Sequence, residues 1–160
     1  MNIEKREFYG MIRPAREHDL EVVRDMISSL ASHHGDVATL TSAQLARDIL
    51  GPRPWVRVLL AECRGVCIGY VALCPLSKMQ FGMRGMDLLN LYVVPDARRT
   101  GVAKALIKAS QDVAEQEKCD FLAVGTHPDN TVAQDIYRAL GFDSLEAPGP
   151  RFSIALKPQV

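Results

Sequence analysis

Leu91-Tyr92-Val93-Val94-Pro95-Asp96-Ala97-Arg98-Arg99-Thr100-Gly101-Val102-Ala103 is the stretch on which the fold turns. An apolar strand closes at Pro95, passes through a short basic turn and opens directly into a helix that carries Val102, Leu106, Ala109 and Val113 on one face. A helix N-terminus has unpaired N–H groups and the positive end of a dipole. Gly101 allows close backbone approach and Arg98 and Arg99 add charge, so the turn suits a phosphate or pyrophosphate. Taken alone, it reads equally well as an ordinary strand-to-helix turn with two solvated arginines. Neither G-x-G-x-x-G nor G-x-x-x-x-G-K-[ST] occurs, which excludes a Rossmann or P-loop signature.

Upstream, residues 10–15 read as a short strand, and residues 17–31 as an amphipathic helix through Leu20, Val23, Ile27 and Leu30. Thr41-Ser42-Ala43-Gln44 is a capping box, with Leu40 and Leu45 as a hydrophobic staple, so a second helix starts there. It should stop near Gly51, because Pro52 and Pro54 cannot continue it. Residues 55–63 and 66–74 are rich in Val, Leu and Ile and are separated only by Arg64-Gly65, a hairpin signal. Residues 75–85 read as a Met-rich loop and residues 86–94 as the strand leading to the basic turn. Downstream, residues 121–125 form a strand and residues 130–140 a helix with a Thr131-x-x-Gln134 capping box and Gly141 past its end. A last strand is expected over residues 152–156.

A chain of 160 residues supports one sizeable core, and no linker or repeat divides it, so residues 1–160 read as one domain. Lys plus Arg and Asp plus Glu both number 19, and no Lys/Arg run occurs, so the attraction that drives nucleic-acid binding is missing. Residues 1–12 carry Glu4, Lys5, Arg6 and Glu7 and have no apolar centre, which argues against a secretory signal and for a cytoplasmic protein. No apolar run is long enough to cross a membrane. Cys63, Cys67, Cys74 and Cys119 show no C-x-x-C spacing and read as buried, reduced thiols, with no metal site expected.

Arg98-Arg99-Thr100-Gly101-Val102-Ala103 resembles the pyrophosphate motif [Q/R]-x-x-G-x-[G/A] of the GNAT N-acetyltransferases, and the lead-in 91–95 looks like that family's preceding strand. Asn130-x-x-Ala133-x-x-x-Tyr137-x-x-x-Gly141-Phe142 resembles its second block at the right separation. The resemblance spans residues 12–156 in element order, with its motif content between Leu91 and Phe142. It implies an α/β fold in which a splayed mixed sheet is flanked by helices, and acetyl-coenzyme A as cofactor. The pantetheine arm would pair with Leu91, Tyr92, Val93 and Val94, and the pyrophosphate would sit on the turn from Arg98 through Ala103. Asn130 would contact the pantetheine, and the Tyr137 hydroxyl would face the thioester sulfur.

The implied chemistry is transfer of an acetyl group to a primary amine of a small molecule by direct attack. Attack requires a neutral amine, and removing the proton of a lysine-like ammonium at neutral pH costs roughly 4–5 kcal/mol. A base, a relaying water or a desolvating pocket must supply part of it. A phenol is still protonated at neutral pH, so Tyr137 suits protonation of the departing thiolate; its alternative is a core aromatic beside Ile136 and Leu140. Many members of the family place Glu or Asp just before Leu-Tyr-Val, where this chain has Leu89 and Asn90. Asp87 is the nearest carboxylate, and alternation puts it on the face opposite Asn90 unless a bulge intervenes. A water relay held by Asn90 is the alternative base.

His33, His34 and Asp36 follow the first helix, where the family commonly shapes its acceptor site, and also read as a solvated helix end. His127 is expected near the cofactor. Met79, Phe81, Met83 and Met86 suit an adaptable acceptor wall, and a homodimer contact or loop packing explains them equally well. Two other functions stay open: a noncatalytic acyl-coenzyme A sensor, which the absent strand carboxylate favours, and an acetyltransferase acting on a protein or peptide.

Overall fold

The computed structural model describes residues 8–146 and 149–156, so the charged segment from Glu4 to Glu7 lies outside the described residues. Five strands form one mixed sheet in chain order: β1 (Met11–Pro14), β2 (Arg57–Cys63), β3 (Val66–Lys78), β4 (Met83–Val93) and β5 (Phe121–Val124). The first three junctions are antiparallel, and β4 pairs with β5 in parallel. Three helices accompany the sheet: α1 (Leu20–His33), α2 (Ser42–Ile49) and α3 (Val102–Gln116). The sheet and these helices lie within the first of two units, Met1–Gly125; the second is Thr126–Val160.

Local chemistry accounts for the joints. Arg64 and Gly65 both have positive φ, 52° and 78°, the backbone that lets a two-residue turn match the twist of β2 and β3. At the start of α2, Thr41 Oγ1 accepts from Gln44 N–H while Gln44 Oε1 accepts from Thr41 N–H, the expected capping box. Asp19, which is buried ahead of α1, accepts from the Arg13 guanidinium and from Arg16 N–H. The Arg13 hydrogen bonds hold its carboxyl down at about 2. Arg13 also meets Glu62, so one guanidinium joins β1, β2 and the entry to α1.

The two faces of the sheet carry different partners. Val58, Leu60, Tyr70, Ala72 and Tyr92 pack with Val23, Met26, Leu45 and Ile49 of α1 and α2. The other face meets α3. A Cβ on Gly69 would stand 3.4 Å from both Val102 and Leu106 and 2.7 Å from Tyr92 O, so only glycine lets α3 lie this close to β3.

Residues 75–85 are not a loop. β3 runs on to Lys78, a 3-10 turn occupies Met79–Phe81, and β4 already begins at Met83. Pro75 suggests a break, but the last β2 pair is Arg57 with Leu73, so its missing N–H removes no bond to β2.

In the second unit α4 spans Thr131–Ala139. Its cap is Asn130, whose side chain accepts from Ala133 N–H, and Gln134 donates to Pro128 O, so the expected Thr131/Gln134 box does not form. Gly141 ends the helix at φ 94°. The strand expected over residues 152–156 is also not formed. Phe152, Ile154 and Leu156 alternate correctly but are exposed, and alternation without a neighbouring ladder makes no strand. No helix among the described residues is long and apolar enough to cross a membrane.

Candidate active site

β4 carries the decisive irregularity. Asn90 lies opposite Ala72 and Leu88 opposite Leu73, so Leu89 is an extra residue bulged out of the ladder. β5 pairs with β4 only from Gly85 to Leu88. Beyond the bulge the strand continues with β3 alone, and among the described residues no strand pairs with its other edge over residues 89–93. Val94 N–H donates to Ile68 O on β3, so alternation turns the backbone groups of Leu91 and Val93 toward the open side. Arg98 Nε donates to Val93 O at 3.0 Å and its guanidinium stands 5.9 Å from the Tyr92 ring, at the end of that edge.

The bulge also decides where Asp87 points. Asp87 pairs with Cys74 and Asn90 with Ala72, and these partners are two residues apart on β3. Paired residues share a face, so Asp87 and Asn90 lie on the same one, the face that α1 and α2 cover further along. Strict alternation would have opposed them. Asp87 is half-buried, has no ion pair or hydrogen bond to its side chain among the described residues, and burial pushes its carboxyl up. A partly desolvated carboxylate without a partner is poised to meet a cation or take a proton.

The turn after β4 is shaped by two residues of positive φ, Arg99 at 62° and Gly101 at 85°. Gly101 is the N-cap of α3 and offers no side chain. Among the described residues, nothing accepts from the N–H groups of Val102, Ala103 or Lys104. Thr100 hydroxyl donates to Ala97 O, fixing the loop from behind. Open donors, the helix dipole and the exposed Arg99 and Lys104 give this turn the chemistry that suits an anion.

In the second unit Tyr137 is half-buried, its ring edge-on to Phe142 with centroids 5.7 Å apart. Burial pushes its hydroxyl up, so it stays protonated at neutral pH. Asn130 spends its oxygen on the α4 cap, leaving its amide N–H groups for another partner. His127 Nδ1 accepts from Asp129 N–H in the loop before α4.

Other candidates do not converge on β4. His33 and His34 end α1 in exposed positions with Asp36, and no group of three metal-ligating side chains occurs among the described residues. The four cysteines are free and half-buried. The methionines differ in burial, Met79 exposed and Met86 in the core. Met79, Met83 and Met86 border a cavity of about 650 Å³ with Trp55, Leu73 and Glu117. Its lining reaches Glu117 and Cys119 just past the end of α3 and includes no residue of the Gly101 turn. Sequence reading missed Cys74, Lys78 and Phe121, which the register brings onto the Asp87 face. The alternation of Cys74, Leu76 and Lys78 was the available signal.

The sequence profile of the acetyltransferase (GNAT) family matches residues 23–142, across both units. A thialysine N-epsilon-acetyltransferase of Bos taurus is 30% identical over 151 residues, covering 88% of this chain and 89% of that protein. An aminoglycoside N(6')-acetyltransferase type 1 of Salmonella enteritidis is 32% identical, covering 84% of this chain and 92% of that protein. An aminoglycoside N-acetyltransferase solved in complex with CoA superposes with a TM-score of 0.76 at 25% identity, covering 92% of this chain and 96% of that one. The open edge of β4 and the uncapped start of α3 thus occur in a chain that belongs to the GNAT family, acetyltransferases that move an acetyl group from acetyl-coenzyme A to amines.

Proposed function

We propose that the protein acetylates a primary amine of a small molecule by direct attack within a ternary complex, with Asp87 as the base and Tyr137 as the proton donor. The observation that carries this reading is the bulge at Leu89, which opens the edge of β4 and turns Asp87 to the Asn90 face. Acetyl-coenzyme A, when bound, supplies the activated thioester. The residues present fit it: the backbone of Leu91 and the N–H of Val93, whose carbonyl Arg98 occupies, offer a strand edge, and Val102, Ala103 and Lys104 offer N–H groups for a pyrophosphate. Arg98 and Arg99 add positive charge at that turn, and the Asn130 amide is available to a carbonyl of the pantetheine. Both relatives named above act, by their names, on amines of small molecules, which supports a small acceptor.

Asp87 takes the ammonium proton of the acceptor, directly or through a water held by Asn90. Burial makes its carboxylate more basic, which narrows the gap to the amine and eases that transfer. Tyr137 holds its proton at neutral pH and gives it to the departing sulfur.

Thiol release from acetyl-coenzyme A across a panel of small amines tests the scheme. Tyr137→Phe is expected to lower turnover roughly 100-fold or more while cofactor affinity persists. In the wild type, the acid limb of the kcat/KM profile should lie above the ordinary carboxylate value of about 4, and Asp87→Asn should abolish that limb. Cofactor binding without turnover of any amine would instead favour a sensor, and a stable acetyl-enzyme formed with cofactor alone would rule out direct attack.

A further inference from the structure

Below the bulge, one strip of the sheet is left uncovered by α1 and α2. Register places Cys74, Leu76 and Lys78 of β3, Gly85 and Asp87 of β4, and Phe121 and Ala123 of β5 on this face. The Phe121 ring lies over Gly85: a Cβ there would stand 2.2 Å from ring atoms, so only glycine admits the ring. Lys78 Nζ stands 4.5 Å from the centroid of that same ring. Phe121 thereby holds the ammonium over the strip by a cation–π contact, and Lys78 has no carboxylate partner among the described residues. The strip therefore has one unpaired anion, Asp87, at its upper end and one unpaired cation, Lys78, at its lower end. Lys78 itself pairs with Met83, but the ring its ammonium contacts lies over Gly85, two residues and roughly 7 Å along the strand from Asp87.

We infer that Lys78 is a specificity residue that binds a carboxylate on the acceptor, so the substrate class is an amine with a carboxylate about one lysine side chain away. The inference rests on the acetyl-transfer reading above, which puts the reacting amine at Asp87. A polycationic acceptor would want several carboxylates, whereas this strip offers one carboxylate and a repelling ammonium. A dipolar acceptor satisfies both ends: its ammonium meets Asp87 and its carboxylate meets Lys78 in a charge-assisted hydrogen bond.

The test compares matched acceptors that differ in the carboxylate. 6-Aminohexanoate, L-lysine and S-(2-aminoethyl)cysteine are assayed beside hexylamine, cadaverine and neamine with wild type, Lys78→Gln and Lys78→Glu, and acetyl-coenzyme A affinity is measured for each protein. The wild type should prefer the carboxylated amines. Lys78→Gln should raise KM for 6-aminohexanoate by roughly 10- to 100-fold, with kcat and cofactor affinity little changed and hexylamine unaffected. Lys78→Glu should reverse the preference toward cadaverine. Equal use of hexylamine and 6-aminohexanoate by the wild type, no turnover of any carboxylated amine, or an unchanged KM ratio in Lys78→Gln would overturn the inference while acetyl transfer to other amines stands. A wild type that does not bind acetyl-coenzyme A would remove the acetyl-transfer reading itself and this inference with it.

Discussion

The starts of α2 and α3 make an instructive contrast. At α2, Thr41 and Gln44 exchange side-chain and backbone hydrogen bonds, and the helix end meets its own needs. At α3, the cap is a glycine at φ 85°, and among the described residues no side chain bonds to the first turn and nothing accepts from the N–H groups of Val102, Ala103 and Lys104. The lengths are 8 residues for α2 and 15 for α3, so the longer helix has the stronger dipole-bearing scaffold and the open end. One end is finished by the protein. The other leaves its donors open, and under the proposed function they meet the pyrophosphate of the family's cofactor.

Substitutions can break that contrast. Gly101→Ala should have the largest effect. The new methyl group finds ordinary contact distance, 3.7 Å to Phe8 N, so crowding is not the difficulty. The positive φ costs about 1–2 kcal/mol in stability, and any relaxation rotates the N–H groups away from the anion, so acetyl-coenzyme A affinity should fall about 10-fold or more. Calorimetric titration reads it. Thr41→Ala should do the reverse: about 1 kcal/mol of stability lost in denaturant melts, with the cofactor affinity unchanged.

Asp87→Asn probes the site carboxylate through stability. Because burial raises its pKa in the fold, the folded chain holds that proton more tightly than the unfolded chain. Stability therefore falls as pH rises from the unfolded value through the folded one, and ionised Asp87 opposes folding at neutral pH. The Asn variant should melt later than wild type at pH 7, and the gap should close below roughly pH 4, where both side chains are neutral. The smallest effect concerns an unmet group that is not functional. Tyr70 hydroxyl is buried with no hydrogen-bond partner among the described residues, inside the core under α1 and α2. Tyr70→Phe should raise stability by about 1 kcal/mol and leave turnover unchanged, which separates orphaned core atoms from donors left open to a ligand.

Much of the fold was legible because its signals are local. The Arg64-Gly65 turn, the Thr41/Gln44 cap and the Pro95-to-Gly101 turn each depend on residues within a few positions of one another. What escaped depends on pairing at a distance. The bulge at Leu89 exists only as a mismatch between β3 and β4, and the extension of β3 past Pro75 depends on where β2 ends. Lys78 and Phe121 are 43 positions apart by their numbering, and nothing short of the β4 and β5 registers puts them together. The missing strand over residues 152–156 is the converse case, correct alternation with no partner. The motif residues from Arg98 to Ala103 were legible, whereas the face of Asp87 was not, because one inserted residue inverts it.

Amide hydrogen exchange with and without acetyl-coenzyme A, resolved at the starts of α2 and α3, tests the central claim that the β4–α3 turn holds the cofactor. Slowed exchange at Val102, Ala103 and Lys104 and along residues 89–93, with Gln44 unchanged, is the predicted result; binding that protects none of these amides would contradict it.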